Sequence, residues 1–115
     1  MPATPTAAEA SPRQLSLSTE WLNATVVRIT ASGDVDAANA RQLTEYVFHR
    51  AANSRRFILD LQHIEFFGTA GYTALKKIES RCSLAEVVWT VVAGRAVSRV
   101  LKVCDPSHTL PVATG

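Results

Sequence analysis

Along the chain, short runs rich in β-branched and apolar residues alternate with longer segments whose apolar side chains recur every three or four positions. Gln14 to Ser18 alternates polar and apolar and predicts a short edge strand, with Trp21 and Leu22 in the turn beyond it. Ala24 to Ala31 predicts a second strand, ended by the turn signal Ser32-Gly33-Asp34. A helix is expected after Asp36, whose carboxylate can accept from the exposed N–H groups two or three residues on. It carries Ala40, Leu43, Tyr46, Val47 and Ala51 at helical spacing, and Asn53-Ser54 closes it. Phe57 to Leu61 predicts a third strand, followed by a polar break at Gln62 and His63 and a short apolar run of Ile64, Phe66 and Phe67. A second helix begins near Thr69 and stacks Tyr72, Leu75, Ile78 and Cys82 on one stripe. Glu86 to Ala93 predicts another strand, ended by Gly94. A short helix with Val97, Val100, Leu101 and Cys104 on one side then stops at Asp105-Pro106, and Thr109 to Ala113 adds a last short strand.

The expected order is β-β-α-β-α-β-α-β. Strands alternating with helices imply an α/β domain with a central mixed, mostly parallel sheet of four or five strands and about three or more helices on right-handed crossovers. With 115 residues the chain forms one domain, spanning residues 13–115, large enough to bury about two-thirds of its unfolded surface. Met1 to Pro12, rich in Ala, Pro, Thr and Ser, reads as a flexible tail with neither the basic start nor the apolar stretch of a secretion signal. A cytoplasmic protein is therefore expected, with Cys82 and Cys104 reduced.

Charge narrows the partners. Twelve basic and ten acidic residues give a net charge of +2, too even for nucleic acid as the main partner. The longest mostly apolar run, Val87 to Ala93, is far short of the ~20 residues that cross a membrane. No nucleophile elbow, phosphate-cradling glycine loop or His-Glu-x-x-His appears, so no catalytic residue and no cofactor is expected. Two cysteines without Cys-x-x-Cys or Cys–His spacing make none of the usual zinc patterns, so no metal is expected either.

The candidate chemistry gathers where the third strand gives way to the second helix. Thr69 places a hydroxyl at the first turn, where free N–H groups and the positive end of the helix dipole suit a phosphate or an acidic partner. The same hydroxyl can simply cap the backbone. Phe66 and Phe67, being adjacent, would point to opposite faces, one into the core and the other either under a helix or exposed near the turn. Cys82 and Cys104 fall on apolar stripes near helix ends, as two core thiols or as a redox-sensitive pair.

Three stretches resemble the STAS domain, a family named for sulphate transporters and anti-sigma factor antagonists. Gly33-Asp34-Val35-Asp36 and its Ala-rich helix resemble the family's Gly-Glu-Leu-Asp segment. Phe57 to Gly71 resembles its central strand and phosphorylation turn, and Val87 to Leu101 its next strand and short helix. The resemblance covers about Leu15 to Val112. The family's turn usually reads Asp-Ser-Ser-Gly with the first serine phosphorylated; here those positions hold Gly68, Thr69, Ala70 and Gly71. The resemblance implies a non-enzymatic anti-sigma factor antagonist. Its partner would be an anti-sigma factor with an ATP-binding, kinase-like fold, and phosphorylation at Thr69 would break the complex. It implies partner contacts at Asp34, Asp36, Asn39, Phe67, Gly68, Thr69, Ala70, Gly71 and Tyr72. Loss of the aspartate at Gly68 and of the serine at Ala70 also admits an accessory STAS subunit of a transporter or other complex, without phosphorylation. A third reading is a thiol-based regulator using Cys82 and Cys104.

Overall fold

A computed structural model describes residues 14–113; the tail expected over Met1 to Pro12 lies outside them. Strands β1 (Ser16–Trp21), β2 (Val26–Val35), β3 (Arg56–Phe67) and β4 (Val88–Ala93) form one sheet in the order β1-β2-β3-β4. Helices α1 (Ala40–Arg50) and α2 (Thr69–Ala85) link the parallel strands, and α3 (Arg95–Cys104) follows the last of them. β1 runs antiparallel to β2, whereas the β2–β3 and β3–β4 pairs are parallel. This is the expected single α/β domain. Because consecutive parallel strands are neighbours, both right-handed crossovers step the same way, and α1 and α2 share one face of the sheet.

The strands are patterned for one covered face. In β2, Val27, Ile29, Ala31 and Val35 are buried and alternate with the partly exposed Arg28, Thr30, Ser32 and Asp34. Leu43 and Val47 of α1 and Leu75 and Ile78 of α2 join Phe57, Leu59 and Val91 of the sheet in one core. Each such side chain removed from water contributes about 1.5–3 kcal/mol.

Two expected interruptions are not interruptions. Ser32-Gly33-Asp34 lies inside β2, and Gln62-His63 lies inside β3. The strands stay paired through both, and the register slips twice instead. Thr30 meets Asp60 but Ser32 meets His63; Gly33 meets Ile64 but Asp34 meets Phe66. Each slip leaves one extra residue on β3, a bulge, and Gly33 takes the left-handed φ of 96° between them. The bulges reset the alternation, so Leu61, Ile64 and Phe67 are buried three residues apart while Gln62, His63, Glu65 and Phe66 are exposed.

Element ends also shift. β1 extends to Trp21, and the turn beyond it is closed by Asn23, whose Oδ1 accepts from the N–H groups of Thr25 and Val26 at 2.9 and 3.0 Å. α1 starts at Ala40, after a separate turn over Ala37 to Asn39. β4 starts at Val88 because Glu86 takes φ 59° to end α2. The last strand, expected over Thr109 to Ala113, reduces to a single parallel bridge between Val112 and Val91. Pro111 has no N–H to extend a ladder.

Candidate functional site

Strand β3 ends against β2, and Gly68 begins α2 there. Its φ of −82° and ψ of 176° are ordinary extended backbone. Its N–H donates to the Val35 carbonyl at 2.9 Å, and its carbonyl accepts from the N–H of Gly71 at 2.9 Å. Thr69 is therefore the first residue of a 17-residue helix, and its side chain is exposed. The first turn of α2 holds no acidic residue of its own to offset the positive end of its dipole.

The acidic loop lies on the other side of that hydrogen bond. Asp36 Oδ1 accepts from the N–H groups of Ala38 and Asn39 at 2.9 and 3.2 Å, capping the turn that leads into α1. Asn39 ties the loop down: its Nδ2 donates to the Asp34 carbonyl at 3.0 Å and its Oδ1 accepts from the Asp36 N–H at 2.9 Å. Asp34 Oδ1 is buried and accepts no hydrogen bond from the described residues. A buried acceptor left unpaired costs about 1–3 kcal/mol. Asp34, Asp36 and Asn39 thus stand beside Gly68, Thr69 and Ala70.

Two expected contact residues are interior. Phe67 is 3% exposed and Gly71 is buried, so neither offers a side chain to a partner. Their burial has one cause: a Cβ on Gly71 would lie 2.5 Å from Cε1 of Phe67, so the ring occupies the space a side chain would need. The surface aromatic is Phe66, at 50% exposure. Its adjacency to Phe67 left the choice open, and only the bulge before it settles which ring turns out. Tyr72 is partly buried against the core.

Sequence reasoning passed over an ion pair in the sheet. Asp60 is 1% exposed and accepts from Arg28 at 2.5 Å and, at the first bulge, from the N–H and Nε2 of Gln62 at 3.0 and 3.1 Å. Burial by itself pushes this carboxyl up, but the Arg28 guanidinium and Gln62 together hold it below the usual carboxylate range. The available signal was an aspartate inside the apolar run Phe57 to Leu61, opposite an arginine inside another. Asp105, expected only as a helix stop, closes the turn after α3 by accepting from Thr109 and Leu110.

No disulfide joins the cysteines. Both are free, Cys82 buried and Cys104 partly so. Burial pushes the Cys82 thiol up to about 11, with Glu79 adding to the shift. A reactive thiol is shifted the other way. Among the described residues no cluster of three His, Cys, Asp or Glu side chains could hold a metal. None of their helices is long and apolar enough to cross a membrane.

Residues 22–112 match the STAS domain family. Among solved structures, the fold is similar to an anti-sigma factor antagonist from Mycobacterium paratuberculosis. That likeness has a TM-score of 0.78 at 23% identity and covers 91% of this chain and 90% of that one. It is also similar to the anti-sigma factor antagonist SpoIIAA in its unphosphorylated form, with a TM-score of 0.69 at 13% identity over 86% and 89% of the two chains. In sequence, 69 residues are 38% identical to osmosensory protein A of Mycobacterium tuberculosis, a match over 60% of this chain. The chain spans less than half of that relative, 44% of its length.

Proposed function

This chain belongs to the STAS domain family, and on that premise we propose that it is an anti-sigma factor antagonist. The unmodified domain binds an anti-sigma factor of ATP-binding, kinase-like fold and so frees a sigma factor for transcription. It works in the cytoplasm and catalyses nothing itself. The observation that carries the reading is the exposed Thr69 side chain at the start of α2, anchored through Gly68 and Val35 beside the Asp34–Asn39 loop. Beside this tie, Asp36 and Asn39 offer a carboxylate and an amide, and Phe66 and Thr69 offer an exposed ring and a hydroxyl.

Phosphorylation of Thr69 ends the contact. A phosphate adds about −1.5 to −2 charges and a hydrated group to a surface that must pack against another protein. Asp34 and Asp36 lie close by with the same sign, so the helix dipole's welcome to the anion does not rescue the interface. The test is binding of purified protein to candidate ATPase-fold anti-sigma factors, with wild type beside Thr69→Ala and Thr69→Glu. Thr69→Ala keeps its affinity and Thr69→Glu loses at least about tenfold, some 1.4 kcal/mol. Equal binding by the Glu form refutes the charge switch, and no binding by wild type refutes the partner.

A second reading draws on Gly68 and Ala70, which stand where the family turn usually carries polar side chains. It makes the domain an accessory subunit of a transporter, without phosphorylation. A pull-down that recovers a transporter ATPase in place of an anti-sigma factor supports it.

A further inference from the structure

At the far end of α2 from Thr69, the two crossover helices do not close completely. Between their carboxyl-terminal ends lies a cavity of about 190 Å³, lined by Val47 of α1 and Ala51 just past its end, Phe57 of the sheet, Cys82 and Ala85 of α2, and Val87 just beyond it. Its wall is almost wholly apolar. An apolar cavity of about 150 Å³ in another protein accepts benzene, so this one has room for a ring or a short acyl chain.

The cavity opens past Phe48 and Arg81 into a groove that runs between the helices toward Ala70. Arg41, Lys77 and Arg81 line that groove against one carboxylate, Glu45. Glu45 is already taken by Arg41, whose Nε donates to it at 2.8 Å. Lys77 and Arg81 form no ion pair among the described residues, and they stand one turn apart on α2. Arg81 lies over the Phe48 ring, 4.3 Å from its centroid. The ring braces the guanidinium, whose N–H groups can pair in a fork with a planar carboxylate.

We propose that this cavity and its mouth bind a small amphipathic monocarboxylate, with the apolar tail between α1 and α2 and the carboxylate on Arg81 and Lys77. The cavity and Arg81 lie away from Thr69, twelve residues and about 18 Å along the helix, and only the other end of the groove reaches Ala70. It does not depend on the reading of Thr69.

Titration of the ¹⁵N-labelled protein with sodium octanoate, 1-octanol and sodium acetate tests it by amide chemical shifts. Octanoate gives saturable shifts at Ala51, Phe57, Cys82 and Val87. Acetate leaves those amides unmoved. Octanol moves the same amides about tenfold more weakly, because it lacks the charge that Arg81 receives. Arg81→Gln, an exposed position whose folding is checked by its melting curve, brings octanoate down to the level of octanol. Three results overturn the proposal: no saturable shift with octanoate, the same shifts with acetate, or undiminished octanoate binding by Arg81→Gln.

Discussion

The N–H of Gly68 and the carbonyl of Val35, 2.9 Å apart, tie the start of α2 to the acidic loop in front of α1. Gly68→Asp keeps that tie, since φ −82° suits any residue, and restores the acid that the family turn usually has. The new Cβ would lie 3.3 Å from the exposed Phe66 ring, which can give way. An aspartate at this N-cap adds a few tenths to about 1 kcal/mol. Thermal unfolding should show a higher Tm at pH 7, and the gain should fade as the pH falls below the carboxylate range.

Gly71→Ala goes the other way. Its Cβ meets the Phe67 ring at 2.5 Å, and overpacking of this kind costs about 1–3 kcal/mol even after the better helix propensity of alanine. Urea unfolding measures the loss. Adding Phe67→Leu should recover part of it, a non-additivity that two independent sites would not show.

Asp60 sets an acid limit. Its folded pKa is lowered, so its contribution is present above the unfolded value near 3.9 and is lost as the pH falls through the folded value. Asp60→Asn should lose about 2 kcal/mol at pH 7, through the weakened Arg28 pair and the bulge bonds to Gln62. Its stability should then depend less on pH than that of wild type below about pH 4. Equal slopes would show that Asp60 does not carry the acid dependence.

Glu86 holds the left-handed conformation, φ 59°, that ends α2. Glycine adopts it without a Cβ penalty, so Glu86→Gly should stabilise the domain by about 0.5–1 kcal/mol. A denaturant midpoint at or below wild type contradicts this.

The thiols should separate kinetically. Cys104, partly exposed, reacts with a thiol reagent in the folded protein; Cys82, buried and shifted up to about 11, reacts quickly only after unfolding. Because the Cys82 shift is upward, its linked stability is intact at neutral pH and declines as the pH rises from about 9 toward 11. Two fast thiols in the native state would restore the redox reading.

The sequence disclosed whatever was local. The stripe from Tyr72 to Cys82 gave α2, and Asp36 reaches the N–H groups two and three residues on, as its position before a helix suggested. It did not disclose what depends on a neighbouring strand. Gly33 and Gln62-His63 carry turn chemistry, and only the β2–β3 pairing converts that chemistry into bulges. The resemblance puts Phe67 on the partner surface, and nothing in the chain tells it from Phe66 until the register is known. Asp60 and Arg28 meet by the same pairing, 32 residues apart.

The contact between Phe67 and Gly71 decides how a modified Thr69 could be read. The Phe67 ring fills the space beside Gly71, so the first turn of α2 packs directly on the core. With its base so packed, a phosphate on Thr69 would alter what the surface presents more than the shape beneath it. Such a message would be one of charge and bulk, and a partner would have to feel it by touch.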